Sequence, residues 1–197
     1  MSLSQASTEE MLRSTSHVTG DSRQEASLLE PGMKMNSVEE STPSNGLTGL
    51  MVAARDGHIE KLTEYLSQST QQDESGLSAL MYAVISGHLE CVKILLIEAG
   101  LQDHQGHTAL MYACQYNRST CIPLLTMEQN LQRNDGWSAL MLATFYNHPD
   151  CVRALLDERG LSARDGLTVI DIARTLGRKE ILELFVPSQR GGKRKRS

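Results

Sequence analysis

Residues 76–105 read GLSALMYAVISGHLECVKILLIEAGLQDHQ, and shifting this stretch by 30 residues in either direction finds it again. Its Ser78-Ala-Leu-Met returns as Thr48-Gly-Leu-Met, Thr108-Ala-Leu-Met, Ser138-Ala-Leu-Met and, decayed, Thr168-Val-Ile-Asp. A glycine stands two residues earlier each time, at Gly46, Gly76, Gly106, Gly136 and Gly166. Five units follow without insertion: 46–75, 76–105, 106–135, 136–165 and a shorter 166–187. A fixed period of this length marks a stacked array, in which each unit buries its apolar face against its neighbours.

Each unit reads as helix, turn, helix, loop. Position Gly plus two is always Ser or Thr, whose hydroxyl can accept from the free N–H groups at a helix start. In the template the first helix runs from there to Gly87, and an acidic residue opens the second helix at Glu60, Glu90, Asp150 and Glu180, complementing the helix dipole. Pro149 suits a first helical turn, whereas Pro123 lies deeper and predicts a delayed or bent second helix in the third unit. Gly100, Asn130 and Gly160, each followed by Leu, predict left-handed stops with an apolar clasp. The first unit has Thr70 and Gln71 there, and the last replaces the recurring Met with Asp171, as expected of end caps.

Composition agrees with a helical core of Leu, Met, Ala and Ile: 40% of the chain is apolar but only 4% aromatic, too little for a β-sandwich. Neither a signal peptide nor a membrane-length apolar run is present, so a soluble, cytoplasmic, monomeric protein is expected. Cys91, Cys121 and Cys151 stand one period apart. Stacking would separate them by roughly the 8–10 Å between packed helices, beyond the ~7 Å that a disulfide spans, so buried free thiols are expected. His88 with Cys91, and His148 with Cys151, share a helix face at metal-ligand spacing, but Arg118 interrupts the series and a core role is the stronger reading.

At this point the units resemble the ankyrin-repeat family. The likeness rests on the T/S-x-L start, the alanines at Ala53-Ala54, Ala83, Ala113, Ala143 and Ala173, the Gly57-His58 and Gly87-His88 turns, and the Val92–Leu96 and Val152–Leu156 type of second helix. The resemblance implies an all-α solenoid of helix-turn-helix repeats. Its period here is 30 rather than ~33, which predicts shortened finger loops between units. The Ala-Leu-Met phrasing is similar to divergent repeats in protist ankyrin proteins. Such arrays act as protein-binding surfaces, so the resemblance implies a non-catalytic adaptor or scaffold and directs attention to the variable positions.

The phases that resemble the family's concave, partner-facing positions are Gly plus nine and ten (Arg55-Asp56, Ile85-Ser86, Gln115-Tyr116, Phe145-Tyr146, Thr175-Leu176) and Gly plus one (Leu47, Leu77, His107, Trp137, Leu167). The only Trp, one of two Phe and two of five Tyr fall on them in units three and four. Aromatics are the usual anchors of protein interfaces, so Ile85, His107, Gln115, Tyr116, Trp137, Phe145 and Tyr146 are the candidate partner-binding residues. An alternative is that Trp137 and Phe145 merely cover a shallow core.

No nucleophile elbow, phosphate-cradling glycine loop or kinase motif is present, and no cofactor is expected. Asn117-Arg-Ser fits a glycosylation sequon, but at a turn of an array expected in the cytosol it is expected to go unused. The flanks differ from the array. Residues 1–45, rich in Ser, Thr and Glu, are expected to be a disordered tail with phosphate-accepting candidates at Ser7, Ser37 and Thr42. The tail 188–197 carries five positive charges, and Lys193, Arg194, Lys195 and Arg196 resemble a nuclear-import or polyanion-binding patch. That patch supports an alternative function, a nuclear regulatory factor binding a transcription or chromatin protein. Residues 46–187 hold 17 acidic and 11 basic side chains, a net −6 that disfavours nucleic acid and favours a basic protein partner.

Overall fold

The computed structural model describes residues 46–185. The readings for 1–45 and 188–197, including the phosphate-accepting candidates and the basic patch, lie outside the described residues. Within them the structure is a succession of paired helices, with no strand beyond isolated antiparallel bridges at Gln72–Ser78, Gln132–Ser138 and Ser162–Thr168. First helices span Gly49–Asp56, Ala79–Ser86, Ala109–Gln115, Ala139–Phe145 and Val169–Thr175. Second helices span Ile59–Glu64, Leu89–Ile94, Pro149–Ala154 and Lys179–Phe185. The single bridges are what remains of the finger hairpins, as the short period predicts.

Each first helix begins where the hydroxyl series places it. Thr48, Ser78, Thr108, Ser138 and Thr168 all accept from the backbone N–H three residues on. Gly57, Gly87 and Gly177 are left-handed at the first-helix ends, and Asn117 and Asn147 take the same conformation in units three and four. In the third unit the second helix is not α-helical. Ser119–Leu124 is a 3-10 stretch containing Pro123, because the proline lacks the N–H an α-turn needs and its ring crowds the preceding turn.

Some glycine positions, Gly106 and Gly136 among them, carry a steric as well as a conformational demand. Gly106 and Gly136 are left-handed, and a Cβ on either would come within 2.7 Å and 2.6 Å of the backbone nitrogens of Asn134 and Arg164 in the next finger. Those nitrogens donate to Gln105 and Asp135 carbonyls at 3.0 Å each, so successive fingers pack backbone to backbone.

The core is a set of period-30 rows. Leu50, Leu80, Leu110 and Leu140 are fully buried, as are Met51, Met81, Met111 and Met141 and, on the second helices, Leu62, Val92, Ile122 and Val152. Fully burying such a side chain contributes roughly 1.5–3 kcal/mol, so the rows supply most of the stacking drive. All four cysteines are free and buried, Cys114 included.

A second row is polar and was legible only as a recurring letter. Glu98, Glu128 and Glu158 are almost completely buried, and each carboxylate ties two units together. One oxygen accepts from its own unit's first-helix N–H (Leu80 at 2.7 Å, Leu110 at 2.6 Å, Leu140 at 3.0 Å). The other accepts from the preceding unit's exit (Thr70 at 3.0 Å, Gly100 at 2.8 Å, Asn130 at 3.0 Å). Burial pushes the Glu128 carboxyl upward, while the Gly100 and Leu110 N–H groups pull against it. In the first unit Gln68 stands at this phase and accepts from Leu50 N at 2.9 Å.

One helix exit departs from expectation. Thr70, Gly100 and Asn130, whose N–H groups are held, adopt the left-handed stop. Gly160 does not, and closes a 3-10 stretch from Leu156 instead.

Candidate functional site

The fingers position the variable residues, and they do so with one of two chemistries. Before units two and three an aspartate organises the loop. Asp73 accepts from Ser75 and Leu77 N–H at 2.8 Å each and from the Tyr82 hydroxyl at 2.7 Å. Asp103 accepts from Gln105 N at 2.9 Å, His107 N at 2.7 Å and the Tyr112 hydroxyl at 2.6 Å. Burial, and then the bond to Asp103, pushes the Tyr112 hydroxyl far above its ordinary range, so it stays a donor.

One period later Arg133 replaces the aspartate and Leu142 replaces the tyrosine. The Arg133 guanidinium forks onto Asp135, with Nε to Oδ1 at 2.6 Å, and lies 5.2 Å from the centre of the Trp137 ring. Burial works to raise the Asp135 carboxyl, but the Arg133 fork and the Trp137 N–H outweigh it and hold it below the usual range. Arg133 also donates to His107 Nε2 at 3.1 Å, joining the two fingers.

Around these brackets the aromatics form two clusters joined by Arg133. In unit three, Tyr112 lies 5.3 Å from His107 and 6.4 Å from Tyr116. In unit four, Phe145 meets Trp137 edge to face at 5.7 Å and Tyr146 at 5.2 Å, and Tyr146 stacks on His148 at 6.4 Å. All five separations lie in the range where aromatic pairs add stabilisation beyond their buried area.

The candidate residues are therefore brought together, but at different depths. Tyr116 is 37% exposed, and Ile85, Gln115, Phe145 and Tyr146 are half-buried. His107 and Trp137 are only 6% exposed, so they form the floor of the cluster rather than its surface. At the same phase Leu47 is also buried, whereas Leu77 and Leu167 are half-buried. Tyr112, Arg133 and His148 complete the cluster. The replacement of the periodic Asp by Arg133 was the one sequence signal that could have found that member.

The backbone of the same row is fixed from the following unit. Arg118 donates to the Ile85 carbonyl at 2.8 Å and 3.2 Å, His148 Nε2 to Gln115 at 3.2 Å, and Arg178 to Phe145 at 3.0 Å. His148 is thus occupied, and Cys151 donates to Asn117 Oδ1 at 3.7 Å, so that pair does not converge on a common point. Among the described residues no three His, Cys, Asp or Glu side chains are gathered where they could hold a metal. Nor, among the described residues, is any helix long and apolar enough to cross a membrane.

No curated protein matches the chain. A family model for ankyrin repeats, in three copies, matches over the overlapping stretches 24–101, 50–133, 96–165 and 126–195. Arrays of this family are in general protein–protein interaction modules and typically non-catalytic. With paired helices capped by Ser or Thr, stacked on rows of Leu, Met and Ala, and matched by that model across most of its length, the chain belongs to the ankyrin-repeat family.

Proposed function

We propose that this chain is a non-catalytic adaptor that seats a protein partner on the first-helix ends of units three and four. The observation that carries the reading is the aromatic concentration there: Tyr116, Phe145 and Tyr146 on a floor of His107 and Trp137, with Ile85 and Gln115 beside them. Aromatic side chains offer large contact area at low entropic cost, and hot spots are enriched in them. No charged residue stands at Gly plus nine or ten in units two to four, so contact there is apolar and hydrogen-bonding. The net −6 of residues 46–187 favours a basic partner through longer-range attraction.

Photo-crosslinkers placed at Tyr116 and Tyr146 should capture a partner that a crosslinker at Met127 does not. With that partner purified, Tyr116→Ala combined with Tyr146→Ala should weaken binding at least ~30-fold, as expected for loss of one or two hot spots of about 2 kcal/mol, with the helical circular dichroism unchanged. Equal capture from Met127, or unchanged affinity, sinks the assignment.

The cytoplasm is the proposed location. A nuclear regulatory role is the second reading, motivated by Lys193, Arg194, Lys195 and Arg196. Fluorescent tagging with and without residues 191–197 separates the two, since an unchanged cytoplasmic signal removes the nuclear one.

A further inference from the structure

We propose that His107 is a proton-operated latch between the fingers that precede units three and four: neutral, it accepts Arg133 and holds that guanidinium over Trp137, and protonation releases it. The inference concerns this chain alone and stands whether or not the aromatic cluster binds a partner.

The geometry fixes the protonation state. His107 Nδ1 lies 3.2 Å from Asp103 Oδ2, and a carboxylate can only accept, so Nδ1 carries the hydrogen. His107 Nε2 lies 3.1 Å from Arg133 Nη1, and a guanidinium can only donate, so Nε2 must present its lone pair. An imidazolium cannot satisfy both contacts, because it would set two donors and two positive charges against each other in a site 6% exposed. Arg133 Nη1 must then withdraw, while the fork onto Asp135, which Nε and Nη2 make alongside the His107 contact, keeps the guanidinium partnered as it shifts.

The groups facing the ring come from three elements. Its own finger supplies Asp103, the unit-three first helix supplies Tyr112, whose hydroxyl shares the same Asp103 oxygen, and the next finger supplies Arg133 and Asp135. Burial is the largest influence and lowers the His107 pKa below its ordinary 6.5, Asp103 raises it, and Arg133 lowers it further. The unfolded chain therefore binds the proton more readily than the folded one. Stability from this site is fully present above pH 6.5 and declines as the pH falls below it.

The latch exists once. The corresponding residues are Leu47, Leu77, Trp137 and Leu167, and the other fingers carry Asp73, Asp103 and Ala163 where Arg133 stands. His148 also has a lowered pKa, chiefly through burial, but its Nε2–H donates to the Gln115 carbonyl, a bond that protonation leaves intact.

The chain has a single Trp, so emission from Trp137 reports the latch directly. In the full chain at constant ionic strength, acidifying from about pH 7.5 to about pH 5 should give a reversible emission change, its midpoint below 6.5, without loss of helical circular dichroism. His107→Gln, which can donate to Asp103 and accept Arg133 without titrating, should abolish the step, and His148→Gln should keep it. Arg133→Gln should move the His107 midpoint upward, because burial remains but the Arg133 charge no longer opposes protonation. If His107→Gln does not fold, nitrogen NMR of the wild-type ring gives the same answer: an Nδ1–H tautomer titrating below 6.5 is expected. Flat emission across the range, a step surviving in His107→Gln, or an Nε2–H tautomer overturns the proposal.

Discussion

The finger before unit three and the finger before unit four occupy the same phase of the same repeat and solve the same problem differently. Asp103 accepts from two loop N–H groups and from Tyr112, which leaves the loop closed on itself. Arg133 can accept nothing, so its loop relies on Asp135 for the Trp137 N–H at 3.1 Å and on the guanidinium lying over the indole. The consequence reaches further than the loop. Among the described residues the buried side-chain polar atoms without a partner are Trp137 Nε1, Thr144 Oγ1 and Arg178 Nε, and all three belong to units four and five. Among the described residues the earlier units thus satisfy their buried side-chain polar atoms, whereas units four and five retain unfilled bonding capacity. Departures of this kind concentrate where a surface serves something other than its own stability.

The largest expected effect tests what both fingers share. Glu128→Ala removes the acceptor for Leu110 and Gly100 N–H together, leaving two buried donors and a cavity, and should cost about 3 kcal/mol in urea unfolding. Glu128→Gln should cost less, since the amide oxygen can still accept once, as Gln68 does in the first unit. A loss below about 1 kcal/mol for the alanine variant would mean that the staple is not what couples the units.

A smaller effect should separate the two fingers directly. Tyr112→Phe removes a hydroxyl bonded to a carboxylate and should destabilise by about 1–2 kcal/mol. Leu142→Tyr, its counterpart one unit later, meets Arg133 rather than Asp and should bring no gain. Stabilisation by the second change would erase the contrast.

The smallest change should go the other way. Thr144 is fully buried with its hydroxyl unpartnered, at a phase where Val84 stands two units earlier. Thr144→Val keeps the shape and removes the unpaired group, and should stabilise by about 1 kcal/mol, read as a higher urea midpoint with an unchanged slope.

Much of the architecture was legible because its causes are local. A hydroxyl before a helix bonds an N–H three residues on, a Gly or Asn turns left-handed by its own sterics, and Pro123 breaks an α-turn by lacking one hydrogen. The correction at Gly160 is informative, since the residue type permits the left-handed stop without imposing it. The candidate site was legible as a set of phases and not as a surface. The same period that aligned Trp137 and Phe145 could not say that one would lie 6% exposed and the other half-buried.

By itself, then, the sequence determined the period, the pattern of the apolar rows and, through interactions spanning a few residues, the five hydroxyl caps and most of the stops. Tertiary structure alone decided which side chains meet. The Glu staples reach 18 and 28 residues, the links from second-helix starts to preceding carbonyls reach 33, and Arg133 finds His107 across 26. Those distances exceed anything a helix or turn can impose, and burial depends on what the neighbouring unit places alongside. The letter Glu128 thus became a structural clamp, and the lone deviation Arg133 became a latch, only once the units were stacked.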